Sequence, residues 1–217
     1  MNKILSSKWA KVVVFLLAFA PAAVLAWAIV SVAWLGASVT DYLTANPLQY
    51  ITHYTGDWTL RMLMVTLTVT PLRVLFNRPA ITRFRRMVGL FTYFYASLHL
   101  LTWVWFDRNF EVSGMWEDIA MRLYITVGMA AFLAMTPLAI TSTQGWVRRM
   151  GFQRWQKLHM LIYPAGILGV LHFLWLVKSD IREPLLYGGI LAVLLGFRVV
   201  TKLRKAKKAS SPAMTSR

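Results

Sequence analysis

Apolar and polar residues alternate in long blocks along this chain. Six apolar runs are each long enough to cross the hydrocarbon core of a bilayer as a helix, which takes about 20 residues. The runs cover residues 12–35, 57–76, 87–106, 117–140, 156–177 and 184–201. They lack the short alternating segments that are typical of a membrane β-barrel. The pattern therefore predicts an all-α membrane protein with six transmembrane helices, in which residues 1–201 form one helical bundle.

Both ends of the chain carry positive charge. Lys3, Lys8 and Lys11 precede the first apolar run and resemble the start of a secretory signal. The run continues to about Leu35, which is too long for a signal peptide, so we expect an uncleaved first span. Residues 202–217 are basic and then rich in serine and alanine, which predicts a disordered cytoplasmic tail beside anionic lipid headgroups.

The composition agrees with a membrane location and limits the possible cofactor ligands. Hydrophobic residues make up 58% of the chain and charged residues only 15%, whereas soluble domains have about 25% charged residues. The chain contains no cysteine. This excludes structural disulfides, cysteine zinc sites, iron–sulfur clusters and haem attached through a C-x-x-C-H motif. Any cofactor is therefore expected to be bound by other side chains.

The distribution of charge predicts the orientation of the bundle. A net charge of +16 would suggest nucleic-acid binding in a soluble protein, but here the cations cluster at the ends of the apolar runs. If both termini lie on the same side of the membrane, that side holds 19 of the 24 lysines and arginines, and the opposite side holds all eight acids. The positive-inside rule then predicts that both termini are cytoplasmic, and that nucleic acid is not a partner.

Three of the four histidines lie within apolar runs. His99 and His172 lie near the outer ends of the third and fifth runs, and His159 lies near the inner end of the fifth. An ionisable residue inside a span usually faces the bundle interior and marks a functional site. Three interpretations remain open: interhelical hydrogen bonding, a proton or ion relay, and ligation of haem iron in the bundle core. No acid lies deep within a span, which counts against the relay and against a proton-coupled transporter.

The inner end of the bundle is predicted to differ from the outer end. On an ideal helix, His159 and His172 would point about 140° apart. Pro164 lies between them and predicts a kink that could turn His159 toward the core. Arg85 lies on nearly the same helix face as His99, about 40° away. An arginine therefore faces His159 at the inner end, where its guanidinium could bind a haem propionate or another anion.

Several segments resemble one known family. They are RRMVGLFTYFYASLHLLTW (85–103), TSTQGWVRRMGFQRWQKLHMLIYPA (141–165), LHFLWLVKS (171–179), HYTGDWTLR (53–61) and TPLR (70–73). Together they resemble the MsrQ family, also called YedZ, within the wider ferric-reductase-like transmembrane group. The resemblance extends over nearly the whole chain, from the first predicted span to the sixth.

The resemblance implies haem in the core of the bundle, with one or two haem b groups and FMN as cofactors. The family's motif histidines correspond to His99, His172 and His159, which are then expected to be axial ligands of haem iron. Arg85 stands where the wider group often has a further histidine. Members transfer electrons from the quinone pool, or from a cytosolic flavin reductase, across the inner membrane of Gram-negative bacteria. The acceptor is the periplasmic molybdenum enzyme MsrP, which repairs oxidised methionine.

Two other functions remain open at this point. A stand-alone ferric or quinone reductase would share the haem, and a small transporter would use the histidines only for packing. The chain has no glycine-rich nucleotide-binding loop and no complete substrate site, so an electron-transfer subunit fits the sequence better than a self-sufficient enzyme. The outer segments 107–118 and 180–183 are acidic and could attract a basic partner.

Overall fold

The computed structural model describes residues 7–177 and 179–210, and the described residues form helices and turns without any strand. The nine longest described helices are α1 (Lys8–Trp34), α2 (Pro47–Leu75), α3 (Arg85–Thr102), α4 (Val112–Met121), α5 (Leu123–Ile140), α6 (Gln144–Met150), α7 (Phe152–Leu158), α8 (Ile162–Leu176) and α9 (Arg182–Ser210). The described residues also contain four short helical segments: Val39–Tyr42, Pro79–Phe84, Trp103–Asp107 and His159–Leu161. The all-α prediction is confirmed.

Five helical segments within the described residues are long and apolar enough to cross a membrane. They are Lys8–Trp34, Pro79–Asp107, Leu123–Ile140, Phe152–Leu176 and Arg182–Arg204. This number of candidate spans indicates a multi-pass membrane protein.

The remaining predicted span, 57–76, coincides with the C-terminal part of α2 and its C-cap, Phe76. That helix has 29 residues, so its length is sufficient for a crossing. Arg61, Arg73 and several threonines make it more polar than the five segments above. The count of six crossings therefore stays a prediction.

Two boundaries differ from those predicted. The fourth run was expected to be helical from residue 117, but the chain turns at Arg122 (φ −112°, ψ 97°) and the spanning helix begins at Leu123. The turn follows Asp118, whose carboxylate pairs with Arg122. At the other end of the chain, α9 continues to Ser210, although a disordered tail was expected over residues 202–217. Lysine, alanine, leucine and arginine favour helix there, and residues 211–217 lie outside the described part.

The fifth run bends close to the predicted position. The α-helix stops at Leu158, one 3₁₀ turn covers His159–Leu161, and α8 starts at Ile162. Pro164 is the third residue of α8, and its ring removes the backbone N–H that would bond to the Met160 carbonyl. The bend places His159 on a separate turn from the helix that carries His172.

Two helix pairs, α2 with α3 and α5 with α8, form the centre of the bundle. An apolar cluster joins α2, α8 and α9 through Leu60, Leu63, Leu67, Val170 and Leu191. Because lipid tails are as apolar as leucine, these side chains stabilise a membrane bundle by van der Waals packing rather than by removal from water. These contacts fix the spacing between the pairs, and the histidines lie in the space that remains.

A tyrosine attaches α1 to this centre. Tyr95 on α3 is 1% exposed, and its hydroxyl donates to the Ala18 carbonyl (2.7 Å) and accepts from the Ala22 N–H (3.1 Å). In a regular helix these two groups would bond to each other. The hydroxyl is therefore inserted into the hydrogen-bond ladder of α1, next to Pro21, where insertion bends a helix.

Replacing Tyr95 by phenylalanine is expected to lower the free energy of unfolding by about 1 kcal/mol. The loss stays small because the Ala18 carbonyl and the Ala22 N–H can pair directly once the hydroxyl is gone. Thermal unfolding in detergent measures the change, with Tyr42→Phe as the control at an exposed tyrosine. Equal midpoints for both variants would show that the inserted hydroxyl does not stabilise α1 against the bundle.

Candidate cofactor sites

The structure brings His99 and His172 together. His99 lies near the end of α3 and His172 near the end of α8, and their ring centroids are 6.0 Å apart with ring planes at 78°. Both rings line one cavity of about 700 Å³, a size within the range of about 300–1,000 Å³ that is usual for ligand sites. Its inner lining is mainly apolar: Leu60, Leu63, Ala96, Phe132, Phe173 and Leu176.

Each imidazole of this pair is held by a backbone carbonyl. His99 Nδ1 lies 2.9 Å from the Thr52 oxygen, and His172 Nδ1 lies 2.7 Å from the Tyr124 oxygen. A carbonyl only accepts, so each Nδ1 must carry the hydrogen and donate it. In the neutral ring this leaves Nε2 with a free lone pair, which is the arrangement that metal-binding histidines normally have.

The distance between the rings matches one metal ion between two imidazoles. A bond from an imidazole nitrogen to a metal is about 2.0–2.1 Å long, the value for zinc. Two such bonds on opposite sides of one ion separate the nitrogens by about 4 Å and the ring centroids by about 6 Å. The observed 6.0 Å and the free Nε2 atoms therefore fit a metal-centred cofactor.

Charged side chains surround the outer mouth of this cavity. Asp118 is only 4% exposed and forms ion pairs with Arg108 and with Arg122, the latter at 3.1 Å. The hydrogen bond to Asp118 is the main cause of the raised pKa of Arg108. The sequence left open whether the acidic segment 107–118 attracts a basic partner; within it, the Asp118 carboxylate is buried and binds these two arginines.

A second cavity of about 490 Å³ lies at the end of the bundle that is predicted to face the cytoplasm; we call it the inner cavity, and the cavity with His99 and His172 the outer one. Among the described residues, its lining includes five cations and no acid: Lys11, Arg83, Arg85, Arg86 and Arg198. His159 also lines it, with Nδ1 3.0 Å from the Trp155 carbonyl. The His159 Nε2 atom is buried and makes no hydrogen bond of good geometry within the described residues. His159 is the one histidine of the described residues in this lining, so the inner site differs from the outer one.

Arg198 was not anticipated as a site residue, because its position near the end of the sixth run suggested only a topological cation. Its guanidinium donates to the Leu67 carbonyl (2.7 Å) and to the Tyr163 hydroxyl (2.9 Å). The Nε atom is buried and unpaired. Arg198 and Arg85 repel each other, so an anion in this cavity would stabilise both.

Both cavities reach one common side chain. Among the described residues, Met135 on α5 is the one residue that lines both. It is 7% exposed and packs with Ala96 and Ala165, whose small side chains bring α3 and α8 close to α5. The two cavities therefore approach each other at Met135.

Comparison with known proteins identifies the family. A family model described as the ferric reductase like transmembrane component matches residues 55–170, which include His99 and His159. The chain is 52% identical over 212 residues to the protein-methionine-sulfoxide reductase heme-binding subunit MsrQ of Xanthomonas euvesicatoria pv. vesicatoria, with 96% of this chain and 95% of that protein covered. The chain belongs to the MsrQ family. The resemblance inferred from the sequence motifs is thereby confirmed.

Other MsrQ proteins give similar values. The protein of the same name from Xanthomonas axonopodis pv. citri is 51% identical, again with 96% of this chain and 95% of the relative covered. The one from Bordetella pertussis is 51% identical over 174 residues, covering 79% of this chain and 83% of the relative. No solved structure matches the chain.

Replacing Asp118 by asparagine is expected to lower the thermal midpoint by at least about 3 °C, since about 2–4 °C corresponds to each kcal/mol in a chain of this size. The substitution leaves Arg108 and Arg122 without their shared carboxylate and removes charge-assisted hydrogen bonds. Thermal unfolding in detergent provides the measurement, and Glu117→Gln is the matched control at the exposed neighbouring acid. A midpoint as high as that of the control would mean that the ion pairs at the mouth do not stabilise the fold.

Proposed function

We propose that this chain is a haem-binding electron-transfer subunit of the bacterial inner membrane, which supplies electrons to a periplasmic methionine sulfoxide reductase of the MsrP type. The observation that carries the proposal is the pair His99 and His172, whose ring centroids are 6.0 Å apart in one cavity and whose Nδ1 atoms both bond to backbone carbonyls, which leaves Nε2 free on each ring. The relatives' name, heme-binding subunit of a protein-methionine-sulfoxide reductase, supports the same reading.

In the outer cavity, His99 and His172 are the residues that would bind the iron of haem b. The haem supplies a one-electron carrier whose potential depends on its axial ligands and surroundings. The Thr52 and Tyr124 carbonyls orient the two imidazoles and keep each hydrogen on Nδ1. The apolar inner lining favours a hydrophobic cofactor. With ring centroids 6.0 Å apart and Nδ1 of each ring bonded to a carbonyl, the two imidazoles suit binding of an electron-transfer cofactor better than substrate binding.

In the inner cavity, His159, Arg85 and Arg198 would bind a second, anionic redox cofactor. The free Nε2 of His159 suits an iron ligand or a hydrogen-bond partner of a flavin, and the cations suit either propionates or the phosphate of FMN. A second haem and FMN, the two candidate cofactors, both carry such anionic groups. Among the described residues, the inner cavity offers a second haem only one histidine, whereas FMN needs no axial ligand.

The positions of the cavities support a path across the membrane. We place both termini in the cytoplasm, with α2 as the sixth crossing, because cations surround the inner cavity and acids lie at the outer one. Electrons would then enter at the inner cavity, from the quinone pool or from a cytosolic flavin reductase. They would leave from the outer cavity to MsrP, and Met135, which lines both cavities, lies between the two sites on this path.

A stand-alone ferric or quinone reductase is the second candidate. The match to the ferric reductase like transmembrane component favours it. The two functions differ in their acceptor. The proposed subunit reduces MsrP and requires it for repair of methionine sulfoxide, whereas a stand-alone reductase would work at the same rate without MsrP.

The test is the reduced-minus-oxidised visible spectrum of the purified protein, prepared with haem available. The wild type is expected to show b-type haem bands. Substitution of either His99 or His172 by alanine is expected to remove most of this absorbance, because each variant loses one iron ligand. His53→Ala is the comparison at an exposed histidine that lines the same cavity without belonging to the pair, and it is expected to keep the haem bands. A colourless wild type would refute the proposal and leave a transporter with structural histidines.

The same samples identify the inner cofactor. Haem and flavin are quantified separately in the wild type and in His159→Ala. Loss of one haem per chain assigns a second haem to His159, and loss of FMN with haem unchanged assigns the flavin. Unchanged content of both would contradict a cofactor role for His159.

A further inference from the structure

We propose that Gly56 and Gly128 are positioning residues for the two imidazoles of the outer site. Each glycine leaves the space in which one histidine ring lies against the facing helix, and thereby fixes its Nδ1 hydrogen bond and the direction of its Nε2. The inference rests on the proposed haem function.

The contact is tightest at Gly128 on α5. A Cβ atom added there would lie 2.6 Å from His172 Nδ1 and 2.9 Å from its Cε1. Both distances are shorter than any real contact of a Cβ atom, so the ring or the helix would have to move. The Nδ1 atom that would be displaced is the one that donates to the Tyr124 carbonyl at 2.7 Å.

Gly56 on α2 has the same relation to the other histidine. A Cβ atom at Gly56 would lie 3.1 Å from His99 Cε1 and 3.2 Å from its Nδ1. The Nδ1 atom bonds to the Thr52 carbonyl at 2.9 Å. These separations are close but not impossible, so a shift of a few tenths of an ångström would relieve the contact. We therefore expect the effect of a side chain to be smaller at Gly56 than at Gly128.

Gly56 and Gly128 have the same position relative to the carbonyl that binds the histidine ring. In each case, the glycine lies four residues after the residue whose carbonyl binds the ring: Thr52 and Gly56 on α2, and Tyr124 and Gly128 on α5. In an α-helix a carbonyl accepts from the N–H four residues later, and its second lone pair can accept from another donor. To reach the second lone pair of this carbonyl, the histidine ring must lie over the residue four positions later, which is the glycine. A Cβ atom on that residue would obstruct the ring.

Ordinary helix packing does not account for these two glycines. Gly166, Gly169 and Gly188 face aliphatic side chains at 3.4–3.6 Å, which a Cβ would tolerate, and Gly189 and Gly196 face open space. Among all twelve glycines, only Gly56 and Gly128 would place a Cβ against a histidine. The same spacing on two separate helices, each opposite one member of the ring pair, indicates a role in orienting the ligands.

The experiment compares Gly56→Ala, Gly128→Ala and Gly189→Ala in the full-length protein purified with haem. Gly189→Ala is the control, because it makes the same change within a helix at a position with no neighbour. We expect Gly128→Ala to weaken haem binding by at least about tenfold, the loss that is usual when the group orienting a metal ligand is removed. Its remaining haem should be partly high-spin. Gly56→Ala should retain low-spin haem with a shifted midpoint potential, and Gly189→Ala should match the wild type.

The inference is overturned if Gly128→Ala retains the affinity, spin state and midpoint potential of the wild type. It is also overturned if Gly128→Ala only lowers the thermal midpoint while its bound haem stays unchanged, because that result indicates packing alone. If Gly128→Ala does not accumulate in the membrane, the test rests on Gly56→Ala. The inference is then refuted if the haem spectrum and midpoint potential of Gly56→Ala equal those of the wild type. A wild type that binds no haem refutes the proposed function instead, so the two failures are distinct.

Discussion

Two hydrogen bonds from imidazole Nδ1 atoms to backbone carbonyls determine the chemistry that this bundle can support. A histidine in an apolar interior has two possible neutral tautomers, and only a fixed acceptor selects one of them. The Thr52 and Tyr124 carbonyls select the tautomer with Nε2 free on both rings. Because the Thr52 carbonyl belongs to α2 and His99 to α3, while the Tyr124 carbonyl belongs to α5 and His172 to α8, each bond also fixes the two helices of one pair against each other.

The same framework separates two electrostatic environments. At the outer cavity, the buried Asp118 carboxylate compensates Arg108 and Arg122, so the mouth is polar with its charges paired. Among the described residues, five cations and no acid line the inner cavity. An anionic group is therefore favoured more strongly at the inner cavity than at the outer one, where Asp118 already binds two arginines. The two sites differ in chemistry, although Met135 lines both cavities.

The sequence predicted the parts of the structure that depend on long patterns. Runs of apolar residues revealed the helices, and the depth of His99 and His172 in their runs anticipated that the rings meet. The turn at Arg122 and the helical extension to Ser210 were missed, since each depends on local interactions within an otherwise continuous pattern. Arg198, Gly56 and Gly128 were also missed. Their roles depend on contacts across helices, and one sequence does not reveal which helices are neighbours.

The most direct test of the ring pair is a low-temperature electron paramagnetic resonance spectrum of the oxidised haem protein. The ring planes are 78° apart, and nearly perpendicular axial imidazoles make low-spin ferric haem strongly anisotropic. We expect a low-spin signal with a single large g value that disappears in both His99→Ala and His172→Ala. A rhombic low-spin spectrum, typical of parallel imidazole planes, or a purely high-spin spectrum would contradict the arrangement of the two histidines described above.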